Sequence, residues 1–104
     1  MAKCANEGAS SAVNPLPSYL RASALDAGNA SMRKACRTRW SDEDADTATE
    51  MLERLVRSLY ASEADHNQPN MCFYRFQIAE SLERSGKLHM NDNIAAAVDR
   101  ALGC

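Results

Sequence analysis

Apolar residues recur every three or four positions along residues 42–63, which is the spacing of an amphipathic α-helix. Ser41 is a suitable N-cap for this helix, and Asp44 extends it to a variant of the capping box. Trp40 is placed to pack on Ala45 as a hydrophobic staple. Such a stripe must be buried against other elements. The stripe consists of Ala48, Met51, Leu52, Leu55, Val56, Leu59 and Tyr60.

The N-terminal part of the chain predicts two short helices separated by a glycine. The first covers residues 18–27 and ends at Gly28, because glycine commonly follows the last residue of a helix. The second begins at Asn29, and one of its faces carries Met32, Cys36 and Trp40. Residues 1–15 show no periodicity and contain glycine and proline, so we expect an extended or disordered lead-in.

The C-terminal half predicts two more helices. Pro69 favours a first helical turn, and that helix runs to Ser85 with Gly86 after it. The last helix begins at Asn91 as N-cap and ends at Gly103. No segment alternates between apolar and polar residues as a half-buried strand does. We therefore predict an all-α fold, a small bundle of four to five helices, with residues 16–104 forming a single domain.

The helix that follows Pro69 is apolar on more than one side. Such a helix is either the central, most buried one or has a face that meets a partner. Its aromatic residues point in several directions, which makes part of this helix a candidate contact of a symmetric homodimer. The candidate dimer residues are Phe73, Tyr74 and Phe76.

The four cysteines are spread almost evenly along the chain, and none forms a C-x-x-C pair. Disulfide frameworks and zinc sites normally cluster their cysteines. This spacing predicts reduced thiols and a cytoplasmic protein. The cysteines are Cys4, Cys36, Cys72 and Cys104. No run of about 18 apolar residues occurs, so we predict no membrane span.

The net charge of −2 is unevenly distributed along the chain. Residues 1–39 contain a clear excess of lysine and arginine over acids, whereas residues 40–104 contain twice as many acids as basic residues. This division predicts an electropositive N-terminal part and an acidic body.

The acids that open residues 42–63 have two interpretations. They match the ligand positions of an EF-hand loop, with Asp42, Asp44, Asp46, Glu50 and Glu53 as the oxygen donors. However, Thr47 stands where the loop needs glycine for its sharp turn. Acids in a first helical turn also face the positive end of the helix dipole. We therefore predict an acidic helix start, with no metal and no cofactor.

The basic stretch preceding these acids also has more than one interpretation. Four exposed cations can neutralise phosphates of a nucleic acid, contact an acidic protein, or form the solvated outer face of a short helix. No helix-turn-helix or RNA-recognition pattern surrounds them, so the solvated face is favoured over nucleic-acid binding. The four residues are Arg33, Lys34, Arg37 and Arg39.

Catalytic motifs are absent from the sequence. No phosphate-binding glycine loop and no G-x-S-x-G nucleophile motif is present. A nucleophile formed by Cys72 with His66 or His89 is the one enzymatic alternative, but Cys72 lies on an apolar helix where a thiol is a poor nucleophile. We expect a protein that is not an enzyme.

These observations favour a non-catalytic interaction module, such as a small adaptor, inhibitor or regulator, that binds a basic protein surface through its acidic helix. The predicted contact residues are Asp42, Asp46, Glu50 and Glu53. Small acidic helical proteins of this kind occur among phage- and mobile-element-encoded inhibitors, which is an analogy of class. The alternative is a dimeric nucleic-acid-binding regulator that uses the basic stretch 33–39.

Overall fold

The computed structural model describes Cys4, residues 18–89 and residues 91–104 of the chain. These residues form four helices: α1 (Ser18–Arg37), α2 (Asp46–Ala64), α3 (Gln68–Ser85) and α4 (Asp92–Leu102). Among them no strand is present beyond one isolated bridge. The prediction of an all-α protein is therefore confirmed. Except for Cys4, the predicted lead-in lies outside the described residues.

Helix α3 is central, because it packs against each of the other three helices. Helix α4 also contacts all three, whereas α1 and α2 do not contact each other within the described residues. The largest fully buried side chains come from all four helices, and they are Met32, Leu52, Leu59, Ile78, Val98 and Leu102. None of the described helices is long and apolar enough to cross a membrane.

Helix α1 is continuous, so the prediction of two short helices separated by Gly28 is wrong. The ring of Phe76 lies against Gly28 so closely that an added Cβ would be 2.6 Å from the Phe76 Cε1 atom. The glycine therefore makes room for the α3 side chain instead of ending the helix. Leu25, Met32 and Ala35 lie on either side of it and are buried on the same face, which keeps α1 helical through residue 28.

Helix α2 begins at Asp46, four residues later than Ser41 and Asp44 predicted. Its N-cap is Ala45, whose methyl side chain cannot accept a capping hydrogen bond. The preceding segment is held by the link between α3 and α4. The Ser41 N–H donates to the Lys87 carbonyl at 2.6 Å, and Asp44 forms the isolated bridge with His89. These tertiary contacts keep residues 41–44 out of the helix.

The staple between Trp40 and Ala45 is likewise not formed as predicted, because Ala45 precedes the helix instead of lying in its first turn. The Trp40 indole N–H donates instead to Asp99 Oδ2 at 3.1 Å. Trp40 therefore anchors the segment between α1 and α2 against helix α4.

The helix ends predicted in the C-terminal half are confirmed. The side chain of Asn91 accepts a hydrogen bond from the Ile94 N–H at 3.0 Å, as an N-cap does. Gly86 and Gly103 follow α3 and α4 with positive φ angles of 71° and 75°. Pro69 lies in the first turn of α3, where its missing N–H leaves no partner unsatisfied.

Replacing Ser41 by alanine is expected to change the free energy of unfolding by less than about 0.5 kcal/mol, as for an ordinary surface site. The Ser41 hydroxyl accepts from the Glu43 N–H at 3.2 Å, in the segment before the helix, and it does not cap α2. The matched variant Asn91→Ala removes a genuine N-cap and is expected to cost about 1 kcal/mol. Urea denaturation of both variants measures the difference. An equal loss for Ser41→Ala would contradict a start of α2 at Asp46.

Two disulfides join the four cysteines, so the prediction of reduced thiols is wrong. Cys4 pairs with Cys72 and Cys36 pairs with Cys104, with Cα–Cα distances of 5.7 and 5.4 Å. Each pair is separated by 68 residues in the sequence, and only the helix packing brings the partners together. Even spacing was therefore misleading, because long-range pairs leave no local signal.

The first disulfide fixes Cys4 against two helices. Cys72 lies on α3, and both cysteines are buried. The buried side chain of Asn29 on α1 accepts from the Cys4 N–H at 3.1 Å and donates to the Cys4 carbonyl at 3.2 Å. Asn29 thus provides hydrogen-bond partners for both the N–H and the carbonyl of the buried Cys4.

Candidate functional site

The predicted acidic contact residues occupy the segment before α2 and the first half of that helix. Asp42, Asp46 and Glu50 are exposed, and Glu53 is half-buried. Asp46 lies in the first turn of α2, where its charge faces the positive end of the helix dipole. We call these four side chains the acidic face.

Ion pairing neutralises only part of the acidic face. Arg57 forms an ion pair with Glu53 one helical turn earlier. Glu50 and Arg54 have the same spacing and line one shallow surface cleft, but they form no ion pair. Within the part of the chain that the structure describes, Asp42, Asp46 and Glu50 have no basic side chain within 4 Å.

The basic stretch lies at the end of α1 and just beyond it. Its four side chains are exposed, and none makes an ion pair with a described acid. Lys34 and Arg37 occupy the last turn of α1, where positive charge is favourable because of the helix dipole. The stretch consists of Arg33, Lys34, Arg37 and Arg39.

The acidic face and the basic stretch are not joined by an ion pair within the described residues. They belong mainly to α2 and α1, which do not contact each other within the described residues. Arg39 and Asp42 are only three residues apart in the chain, so the two charged groups are neighbours at this end.

The three aromatic residues proposed as a dimer contact have different surroundings. Phe76 packs against the core and against Gly28 of α1, so its ring serves the contact between two helices of the same chain. Tyr74 is half-buried against the core. Phe73 is 41% exposed and meets Tyr74 edge to face, with ring centroids 5.3 Å apart. Of the three, Phe73 is the side chain available to a partner.

A partly buried polar cluster, which the sequence did not indicate, holds the segment before α2 in place. Lys87 is only 2% exposed at its side chain, and its Nζ donates to Asp99 Oδ1 at 3.0 Å. The same carboxylate accepts from Trp40 through its other oxygen, and Lys87 Nζ lies 5.1 Å from the centre of the Trp40 ring. Because Lys87 also binds the Ser41 N–H through its carbonyl, this cluster determines where the acidic face begins.

Residues 42–53 do not form a calcium loop, because residues 46–53 already belong to helix α2. Among the described residues, no group of three or more histidine, cysteine or acidic side chains is arranged to hold a metal ion. Cys72 is bonded to Cys4, so the alternative of a Cys72 nucleophile is contradicted.

Comparison with known proteins identifies no relative: no protein-family model, curated protein or solved structure matches the chain. The described residues place the chain in the class of all-α proteins, with four helices and two disulfides.

Proposed function

We propose that this protein is a non-catalytic interaction module, an adaptor, inhibitor or regulator, that binds a basic surface of a partner protein through its acidic face. The observation that carries the proposal is the exposure of Asp42, Asp46 and Glu50 without a described ion-pair partner. These three carboxylates, two in the first turns of α2 and one in the segment before it, attract positive charge over roughly one Debye length, about 8–10 Å at physiological salt.

The position of the acidic face further supports the proposal. The cluster of Trp40, Lys87 and Asp99 holds residues 40–41 against the rest of the protein, so the acids emerge from a fixed backbone. A rigidly held surface loses less conformational entropy on binding than a mobile one.

Reversing the charge of the acidic face with Asp42→Lys, Asp46→Lys and Glu50→Lys is expected to weaken partner binding at least tenfold. The effect should come mainly from a slower association rate and should shrink as salt is added, because exposed charges act by steering. The measurement is biolayer interferometry over a salt series, with the partner recovered by affinity capture from the native cell.

The matched control reverses three exposed acids elsewhere, Asp26, Asp65 and Asp92, and so changes the net charge by the same amount. This control is expected to bind within about threefold of the original protein, since charges remote from the contact are screened. Equal losses in both triple variants would attribute binding to net charge and contradict a contact at the acidic face.

Nucleic-acid binding through the basic stretch is the second candidate function. It is favoured by the exposure of Arg33, Lys34, Arg37 and Arg39 and by their lack of described ion-pair partners. A mobility-shift assay over a salt series tests it, because four phosphate contacts give a slope of log affinity against log salt of about −3 to −4. No shift at low salt would remove this candidate.

The nucleic-acid-binding regulator was predicted to be a dimer. We propose that two copies of the chain contact each other through the exposed Phe73. The replacement Phe73→Ser should shift the chain toward monomer in sedimentation equilibrium. A chain that is already monomeric at high concentration would remove the dimer from the proposal.

We also propose an oxidising compartment in place of the cytoplasm that was predicted from the cysteine spacing. All four cysteines are paired, and such disulfides form and persist outside the reducing cytosol. Rapid thiol alkylation in the native cell before lysis tests this proposal. Labelling of Cys36 and Cys104 in the folded protein would place the chain in a reducing compartment.

A further inference from the structure

The apolar stripe of α2 is not buried along its whole width. Leu52 is 1% exposed, but its neighbour Met51 is 52% exposed, the most of any large apolar side chain among the described residues. Successive residues of a helix point in different directions, so Leu52 faces the core while Met51 lies at the edge of the stripe and reaches the surface. Met51 was predicted to belong to the buried face, but its side chain lies mostly on the surface.

Clefts lie on both sides of Met51. One lies between α2 and α3, and it is lined by Ala48, Met51, Leu52, Ser81, Arg84 and Ser85. The other is a shallow cleft on the surface of α2 alone, lined by Thr47, Glu50, Met51, Arg54 and Leu55. Met51 thus stands between these two clefts, and together with them it forms what we call the Met51 surface. Methionine suits such a position, because its unbranched thioether adapts to the shape of a partner side chain.

Charge identifies what can occupy the Met51 surface. Glu50 lines the second cleft directly, and Asp46 lies one helical turn before it; both are exposed and have no described ion-pair partner. Arg84 in the first cleft is already paired with Glu80 at 3.3 Å. Arg54 lies in the same cleft on the C-terminal side of Met51, and it also has no described ion-pair partner. The uncompensated charge beside Met51 is therefore negative toward the start of α2 and positive toward Arg54.

We infer that Met51 is the apolar anchor of the acidic face, and that it receives an apolar side chain flanked by lysine or arginine from a partner protein. This inference rests on the proposed function and specifies the partner segment. The basic residues of the segment lie toward Asp46 and Glu50, and its apolar residue packs on Met51. Interfaces concentrate their binding energy in a few central, well-packed side chains, and complementary charge around these favours the right partner.

The test uses two model peptides as probes, one lysine-rich with a single central leucine, and one identical except for serine at that position. Binding is followed through the methyl signals of ¹³C-labelled methionine at about 0.01 M ionic strength, where the Debye length is about 30 Å. The leucine peptide is expected to bind about fivefold more tightly than the serine peptide. It should shift the Met51 methyl signal and leave the signal of Met32, which is fully buried, unchanged.

Two variants locate the preference for leucine. Met51→Ala should bind both peptides equally, with the affinity of the original protein for the serine peptide. The control Leu20→Ala removes another exposed apolar side chain, on α1, and should keep the fivefold preference. Circular dichroism confirms that both variants remain helical.

The outcomes separate this inference from the function on which it rests. If the two peptides bind equally and Asp46→Lys with Glu50→Lys weakens both, the acidic face stands and the Met51 anchor is overturned. If these reversals change neither affinity, both proposals fail. If the Met51 signal shifts with protein concentration alone, a second copy of the chain occupies the surface, and the inference of a basic partner segment at Met51 is wrong.

Discussion

Replacing Cys36 and Cys104 together by serine is expected to lower the free energy of unfolding by about 4 kcal/mol. The disulfide closes a loop with a sequence separation of 68 residues, and in the chain-entropy account a loop of this size restrains the unfolded state by about that amount. Cys36 is half-buried and Cys104 exposed, so the serines leave little cavity and few unsatisfied groups. The loss should therefore come mainly from the unfolded state.

Urea denaturation of the oxidised protein and of the double variant measures this loss. The denaturant dependence of the free energy should also rise in the double variant, because an unfolded chain without the crosslink exposes more surface. After reduction, the protein and the double variant should unfold at nearly the same denaturant concentration, since neither then has a crosslink. Equal stability of the oxidised protein and the Cys36/Cys104 variant would contradict the assigned pairing.

The companion variant Cys4→Ser with Cys72→Ser is expected to lose more than the first. Both cysteines are buried, so the serine hydroxyls must find partners in an apolar site or remain unsatisfied. The same loop length applies to this pair. The difference between the two double variants therefore isolates the contribution of burial from that of loop closure.

Replacing Leu59 by alanine is expected to lower the free energy of unfolding by about 2–5 kcal/mol, as for a fully buried leucine. Leu59 is 0% exposed and belongs to α2, which packs against α3 and α4. The matched variant Leu55→Ala should cost less than about 2 kcal/mol, because Leu55 is half-buried and lines the cleft beside Met51. Both residues are leucines of the same predicted stripe.

Chemical denaturation of the two leucine variants, fitted with a common denaturant dependence, gives the comparison. Circular dichroism before denaturation checks that each variant keeps its helices. A larger loss for Leu55→Ala than for Leu59→Ala would mean that α2 is rotated about its axis, with Leu55 facing the core and Leu59 facing away from it. The Met51 surface would then be buried, and Met51 could not anchor a partner.

The helix ends of the C-terminal half were predictable from the sequence because their causes are local. The amide oxygen of Asn91 reaches an N–H only three residues away, and glycine adopts positive φ without a steric cost wherever it follows a helix. Pro69 acts on its own backbone in the same way. The period of α2 is also a local property, and it correctly predicted a helix over residues 46–63.

The start of α2 and the continuity of α1 were decided by tertiary contacts. Ser41 carries a capping signal, but its backbone is bound to Lys87, a hydrogen bond that lies outside any sequence window. Gly28 carries a termination signal, but the ring of Phe76 occupies the space its missing side chain leaves. In both cases a contact between distant residues outweighed a local preference worth about 1 kcal/mol.

The candidate site divides in the same way. The sequence alone identified the charged residues of the acidic face, since charge and helical spacing are visible in it. Which carboxylates remain unpaired, and that Met51 emerges beside them while Leu52 is buried, depends on how α2 is rotated against α3. The disulfides depend on packing most of all, because each joins residues 68 positions apart that only the folded helices bring within bonding distance.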